Sequence, residues 1–398
     1  MKILFADRLP DFCADDLRAM GHEVVAQPDL TTADLPAAIG DAQILVVRST
    51  KVDAATIEAA PSLSFIIRAG AGTNTIDVAT ASARGVFVSN VPGRNALAVA
   101  ELTMGLILSL DRRIADGTAD LRNGVWNKKA YSKANGLAGS TLGLVGLGDI
   151  GLAVAERAKA FGMTVIGERK PRSAAAEQKI RHAGVKLVND RAALLEQADI
   201  VSVHVPSTGD TKGMVDAAFL SAMKPGAMFI NTSRGDVVDE SALLTALHGG
   251  LRAGLDVYAD EPSSGAGEFV SEVAAHPNVV GTHHIGASTE QAQTAVARGV
   301  VDLVRVFGTG EVRDCVNLDE GSAPAATLRV RHLNRVGVLA GVLRELRAAG
   351  HNVETMQNRI LGGREAAVAD IDVVPEPAGE VLEAVAALDD VIDARVVS

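Results

Sequence analysis

The chain predicts an α/β protein built as two doubly wound parallel-sheet domains followed by a small βαββαβ unit. Three observations carry that prediction. Short apolar runs alternate with helical spacings from Lys2 to Ser89 and again beyond Ser140, the pattern of parallel strands covered by helices. Gly146-Leu147-Gly148-Asp149-Ile150-Gly151 follows the apolar run Thr141–Val145 and precedes helical spacing over Ala153–Phe161, and a glycine fingerprint has a mechanism only in such a strand, turn and helix. From about Ala325 to Ser398 the pattern changes to strand, helix, strand, strand, helix, strand, the split βαβ plan.

Composition narrows the function classes. A hydrophobic content of 47% with a single Trp means cores made mainly of Val, Leu, Ile and Ala. The net charge of −11 argues against a nucleic-acid backbone as general partner. Cys13 and Cys315 are too few for a disulfide framework and fit a reducing cytoplasm. Lys2-Ile3-Leu4-Phe5 already reads as a first strand, so no leader is expected. The longest apolar segment, Ala96–Leu110, is short of a membrane span and contains Glu101. It reads as a buried helix of a cytoplasmic protein, with no membrane partner.

In chain order, strands are expected at Lys2–Ala6, Glu23–Ala26, Ile44–Val47, Phe65–Ile67 and Val86–Ser89. Ligands of such sheets sit beyond the carboxyl ends of the strands. The third strand ends in Arg48-Ser49-Thr50-Lys51 and the fourth in Arg68-Ala69-Gly70-Ala71-Gly72-Thr73. Guanidinium, hydroxyl and free backbone N–H groups at both ends suit a carboxylate or phosphate. Either charge alone would read as an exposed loop residue; two loops at equivalent strand ends point to an anion site. Pro92 and Gly93 then make a plausible hinge, and a long helix is predicted from Arg94 to Ala115.

The fingerprint places Gly146 at the tight turn, Gly148 against a pyrophosphate and Gly151 at the helix–strand contact, with Asp149 and Ile150 opening the helix. A second strand, Met163–Gly167, leads to Glu168-Arg169-Lys170-Pro171-Arg172. An acid there would accept hydrogen bonds from the adenosine 2′-OH, and an Arg would favour a 2′-phosphate. Glu168 and Arg169 fit the spacing equally well, so NAD and NADP both stay open. The three cations also fit a solvated loop. Further strands are expected at Lys186–Val188, Ile200–Val205, Met228–Asn231, Gly254–Val257 and Val279–Gly281, with polar ends at His204-Val205-Pro206, Asn231-Thr232-Ser233-Arg234-Gly235, Asp256 to Pro262 and His283-His284-Ile285-Gly286.

Met223-Lys224-Pro225-Gly226 leading into Asn231-Thr232-Ser233-Arg234-Gly235, with Asp260-Glu261-Pro262 and His284-Ile285-Gly286-Ala287-Ser288-Thr289 downstream, resembles the D-isomer-specific 2-hydroxyacid dehydrogenases. The resemblance implies a flavodoxin-like substrate-binding domain of residues 1–93 and 287–318, a Rossmann cofactor domain of residues 94–286, and a regulatory domain of residues 325–398. It makes Arg234, Glu261 and His284 the catalytic set. The chemistry needs those types: a base within reach of the hydroxyl proton, a carboxylate to orient the imidazole and stabilise imidazolium, and a guanidinium to hold the substrate carboxylate in two-point fashion. Each has a bland reading alone, as a structural His, a turn Glu or a surface Arg.

The same resemblance gives Arg48, Ser49, Lys51, Arg68, Ala71 and Gly72 to the substrate, and sets His204, Val205, Pro206, Thr232, Ser233 and Asp256 beside the cofactor. Lys128, after Trp126-Asn127, is implied to reach a neighbouring subunit's site, in a homodimer or homotetramer with the helix from Arg94 in the interface; local packing and a solvated charge explain Trp126 and Lys128 as well. His283 replaces the family's usual Pro. His332-Leu333-Asn334-Arg335-Val336-Gly337 resembles the opening of an ACT domain, which implies a serine effector held by His332, Asn334 and Asn352; a dimerisation module without ligand is the other reading. Members with such an extension act on 3-phosphoglycerate, the implied substrate. A glyoxylate or hydroxypyruvate reductase, and a non-enzymatic dinucleotide-sensing protein, remain open. No metal is expected.

Overall fold

A computed structural model describes residues 1–262, 267–318 and 325–397. Residues 320–324, whose small side chains read as a linker, lie outside the described residues, as does Ser398. The chain divides into two compact units, Met1–Asn317 and Leu318–Ser398.

The first unit holds two parallel sheets. Strands β1 (Lys2–Phe5), β2 (Glu23–Ala26), β3 (Ile44–Val47), β4 (Phe65–Arg68) and β5 (Phe87–Asn90) form the order β2-β1-β3-β4-β5. That is the flavodoxin-like order, whose switch point lies between β1 and β3. The continuous apolar runs Ile44–Val47 and Phe65–Ile67 are buried on both faces, as parallel strands require. One face packs on helix Glu290–Phe307, whose Val296, Val300, Val301 and Val304 join Ile3, Phe5, Phe65 and Ile67 in one cluster. The chain therefore returns to its first sheet after building the second.

Strands β6 (Thr141–Val145), β7 (Thr164–Glu168), β8 (Lys186–Val188), β9 (Ile200–Val203), β10 (Met228–Asn231), β11 (Arg252–Leu255) and β12 (Val279–Gly281) make a parallel sheet of order β12-β11-β10-β9-β6-β7-β8. This is the Rossmann order extended by one strand, with the reversal between β6 and β9. Several sequence boundaries hold to the residue. β11 sits two residues earlier than expected, which leaves Asp256 and Val257 in the loop beyond the sheet edge.

The long helix expected from Arg94 to Ala115 is two helices, Ala96–Arg112 and Ile114–Arg122, because Arg113 adopts a left-handed backbone with φ 53°. The first is not free to line an interface along its length: Ala96, Ala98, Val99, Ala100, Thr103, Met104, Leu106, Ile107 and Leu110 are buried within the chain. Leu97 on the first helix and Ile114 and Leu121 on the second stay exposed.

In the second unit, β13 (Ala326–Leu333), β14 (Asn352–Ile360), β15 (Ala366–Val374) and β16 (Val391–Val397) form an antiparallel sheet of order β14-β15-β13-β16. Helices Val338–Ala348 and Gly379–Ala386 connect its strands. Alternate residues Leu328, Val330, Ala369, Ile371 and Val373 form its core with Val342, Leu346 and Val385, as the period-2 pattern dictates. Ile371→Ala, which empties a fully buried site, is expected to cost ~2–5 kcal/mol. Chemical denaturation should show the loss in the C-terminal unit, with nucleotide binding by the first unit unchanged.

Candidate functional site

The carboxyl ends of the two parallel sheets meet through loops. Asn231 closes the loop after β10: its Oδ1 accepts from Ser233 N and Oγ at 3.0 and 2.7 Å, and its Nδ2 donates to Arg234 O at 2.9 Å. Gly235 then packs so closely on the Tyr258 carbonyl that a Cβ would overlap it, which brings this loop against the segment carrying Glu261. The Arg234 guanidinium reaches the first sheet, where a Cβ on Gly72 would collide with Nη2. Arg234 Nη1 also donates to Ser233 O at 2.6 Å.

His284 Nδ1 meets Glu261 Oε2 at 2.6 Å, and Glu261 Oε1 accepts from Tyr258 N at 2.9 Å. Burial pushes Glu261 toward its neutral form. The His284 ring, the Tyr258 N–H and the Arg234 charge outweigh burial and hold the carboxyl below its ordinary range. His284 has a left-handed backbone, φ 52°, which costs a non-glycine residue ~1–3 kcal/mol unless its surroundings fix it. They do so through Asp256, which is 1% exposed. Asp256 O accepts from His284 N at 2.8 Å, Oδ1 from Thr282 Oγ1 and Ile285 N at 2.6 and 2.9 Å, and Oδ2 from Gly286 N at 2.9 Å. The carboxylate expected beside a cofactor thus also shapes the His284 loop, with three donors on its two oxygens.

The anion loops are built around a residue that sequence reasoning missed. Asp7, just past β1, accepts from the backbone N–H of Arg48, Ser49 and Thr50 at 2.6, 3.1 and 3.1 Å, and its Oδ1 accepts from Ser49 Oγ at 3.0 Å. The contact comes from the pairing of β1 with β3, which the order of residues does not mark. Arg68 folds over Gly70, where a Cβ would overlap the guanidinium. Its Nε is buried without a hydrogen-bond partner. Burial first, then the nearby charges of Arg234 and Arg48, push its pKa down to about 10, while Asp7 acts in the opposite direction. Three guanidinium groups are therefore crowded together from both sheets. Lys51 is exposed at the same loop, and Ala71 O accepts from Asn90 Nδ2.

The fingerprint turn fits a dinucleotide. Gly146 has φ 105° and lies against the His204 carbonyl, and a Cβ on Gly151 would overlap Gly146 O, so neither tolerates a side chain. Space beyond Gly148 is open, with no atom within 4 Å of a would-be Cβ, and helix Asp149–Ala160 starts there with Ile150 in its first turn. This is a cradle for a pyrophosphate at free backbone N–H groups. The Asp149 carboxylate turns toward Gly93 and lies 3.9 Å from Lys179 Nζ. His204 Nε2 pairs with Ser202 Oγ at 2.9 Å, and burial pushes its imidazole down to about 4, so it is neutral. Val205 and Pro206 continue that loop. Thr232 and Ser233 are buried, with Thr232 Oγ1 3.0 Å from Thr103 Oγ1; their hydroxyls already have partners. Glu168 ends β7, paired with Lys170 Nζ at 3.1 Å and Arg191 Nε at 3.7 Å, while Arg169 is exposed.

Other expected site residues are not brought together. Lys128 is exposed in the segment after helix Ile114–Arg122. His332 is buried, with Nδ1 2.7 Å from Leu333 O and Nε2 3.2 Å from Asn358 Oδ1. Asn334 Nδ2 donates to Arg364 O at 3.0 Å. Asn352 lies at the other end of the sheet, paired with Val374 where His332 is paired with Ala367. A single chain separates Asn352 from the other two because antiparallel register runs them to opposite ends.

A nucleotide cradle, an imidazole–carboxylate pair that feels the Arg234 charge, and guanidinium groups of the other sheet beside Arg234 define a dinucleotide-dependent oxidoreductase of two α/β domains. The NAD-binding domain model of the D-isomer specific 2-hydroxyacid dehydrogenases matches residues 104–286. The chain is 40% identical over 321 residues to D-3-phosphoglycerate dehydrogenase of Methanocaldococcus jannaschii, covering 79% of this chain and 59% of that protein. It is 40% identical over 283 residues to hydroxypyruvate reductase of Thermotoga maritima, covering 70% of this chain and 89% of that protein. The NADPH-dependent glyoxylate/hydroxypyruvate reductase of Sinorhizobium meliloti, solved with NADP and malonate, superposes with a TM-score of 0.67 and 32% identity over 79% of this chain and 96% of that one. The chain belongs to the D-isomer specific 2-hydroxyacid dehydrogenases, whose NAD-binding domain it carries. It spans about three fifths of the length of the phosphoglycerate dehydrogenases it matches. No described helix is long and apolar enough to cross a membrane.

The folded pKa of Glu261 lies below its ordinary 4.5. Stability from the pair with His284 is therefore present above the unfolded carboxyl pKa and lost as pH falls through the folded value. The stability gap between the wild type and Glu261→Gln, measured by denaturant titration, is expected to shrink as pH falls through that window.

Proposed function

We propose that the chain oxidises 3-phosphoglycerate at C2, or reduces the corresponding 2-oxo acid. The observation that carries this reading is the crowding of Arg48, Arg68 and Arg234, with Arg68 half-buried and its Nε buried and unpartnered. A half-buried cation among like charges calls for anionic ligand groups, and a substrate with a carboxylate and a phosphate supplies two. Arg234 suits the carboxylate, because it touches the loop at Gly72 and its charge is also felt at Glu261. Arg48, Ser49, Lys51 and Arg68 are left for the phosphate.

A nicotinamide dinucleotide held at the turn of residues 146–151 would supply the hydride acceptor for C2. With Nδ1 committed to Glu261 at 2.6 Å, His284 Nε2 is the nitrogen left to take the hydroxyl proton. Glu261 stabilises the imidazolium that results and keeps the ring from turning. Asp256 fixes the backbone that aims it. Arg234 orients the acid and stabilises negative charge developing at the oxygen in the reverse reaction.

The hydroxypyruvate reductase of Thermotoga maritima, of which this chain covers 89%, favours a second reading, an unphosphorylated 2-oxo acid as substrate. A steady-state screen separates the two: 3-phosphoglycerate should give the highest kcat/KM, and a clear preference for glyoxylate or hydroxypyruvate would establish the second. His284→Gln is expected to lower kcat by ~10²–10⁴-fold with little change in KM. Arg68→Met should raise the melting temperature of the ligand-free protein by relieving the half-buried charge, and should abolish its stabilisation by 3-phosphoglycerate, as differential scanning fluorimetry would read.

The C-terminal unit is proposed to bind serine between two copies of the chain, since one copy separates Asn352 from His332 and Asn334. Their amides and imidazole suit a zwitterion. Serine is expected to inhibit turnover, and Asn352→Ala to abolish the inhibition without lowering basal activity; a serine response unchanged in Asn352→Ala would refute the assignment.

A further inference from the structure

The end of β7 carries a charge arrangement that the catalytic reading leaves unused. Glu168, 19% exposed at its side chain, is gripped from two sides: Lys170 Nζ is 3.1 Å and Arg191 Nε 3.7 Å from the same oxygen, Oε2. Arg191 arrives from a different segment, just past β8, which pairs with β7 through Glu168 and Val188. Its Nε is buried and has no hydrogen-bond partner. Arg172 closes the loop by donating from Nη2 to Glu168 O at 2.8 Å and from Nη1 to Lys170 O at 3.2 Å. Arg169 is exposed beside them, its N–H bound to Val188 O at 2.9 Å. Leu147 of the fingerprint turn packs on Gly167, so this cluster borders the nucleotide cradle directly.

Four cations and one carboxylate thus surround the place where the adenosine ribose of a fingerprint-bound dinucleotide lies. A carboxylate reserved for a ribose hydroxyl gains nothing from two cations pinning one of its oxygens. A cationic nest assembled for a phosphate, in contrast, needs a counter-ion when the phosphate is absent, because like charges held together without one destabilise the fold.

We propose that this chain prefers NADP(H) to NAD(H), with the 2′-phosphate received by Arg169, Lys170 and Arg191, and with Glu168 as the internal counter-ion that the phosphate displaces. The inference rests on the dehydrogenase reading only in taking the fingerprint as the nucleotide site. It assigns Arg191, which lies outside the loop that sequence spacing points to.

The test is equilibrium binding to the full chain by calorimetry, using adenosine 2′,5′-bisphosphate and adenosine 5′-monophosphate, which differ only in the 2′-phosphate, and then NADP⁺ and NAD⁺. The 2′-phosphorylated member of each pair is expected to bind at least ~10-fold tighter at low salt, with the gap narrowing as ionic strength rises. Arg191→Ala should narrow the gap several-fold, and Lys170→Ala serves the same purpose if the first variant is unstable. Glu168→Gln decides between roles: as a counter-ion its neutralisation tightens the bisphosphate, whereas as a ribose acceptor its neutralisation weakens the monophosphate and NAD⁺. Equal or tighter binding of the monophosphate, weakened binding of NAD⁺ in Glu168→Gln, or no nucleotide binding at all would overturn the proposal. Binding in the expected order without turnover of any 2-hydroxy acid would sink the dehydrogenase reading and leave this one standing; turnover supported by NAD⁺ alone would do the reverse.

Discussion

The constraint on which the rest of the site depends is a half-buried guanidinium kept beside two others. Arg68 is desolvated, has an unpartnered Nε and feels the charges of Arg234 and Arg48. Such a group is held against its own electrostatics by the surrounding fold. The apolar runs of β3 and β4, buried on both faces, fix the loop ends rigidly enough to do this. Asp7 supplies the partial compensation and, by accepting three backbone N–H groups, sets the conformation of the loop that carries Arg48.

A second carboxylate plays the matching structural part on the other sheet. Asp256 spends both oxygens on the Thr282–Gly286 segment and so pays for the left-handed backbone of His284. Glu261 then fixes the ring itself. Two buried or half-buried acids divide the work, one shaping the backbone and one orienting the imidazole, which is why neither is interchangeable with the other. The β7 end repeats the theme with the sign of the majority reversed, since there a single carboxylate balances several cations.

Much of this was legible along the chain. The alternation of apolar runs gave both parallel sheets, and β2, β3, β6, β8, β10 and β12 begin and end where the pattern places them. The fingerprint, the Arg234 loop and the His284 loop all stand at strand ends, where ligands of such sheets bind. What the pattern did not show shares one cause. Arg113 breaks the long helix by a backbone turn that no propensity marks. Asp256 has the right type for a cofactor contact, and only its packing shows that it also shapes the His284 loop. Asn352 belongs with His332 by resemblance, and only antiparallel register shows that within one chain the two lie at opposite ends of the sheet.

Hydrophobic period and glycine spacing report interactions between residues a few positions apart, so the sequence by itself determined the sheets, the nucleotide turn and the kinds of side chain at each strand end. Electrostatic contacts act over a few ångströms between residues far apart in the chain. Which charges meet was therefore decided only by the tertiary structure: Arg234 against the Gly72 loop, Asp7 beneath Arg48, and Arg191 on Glu168.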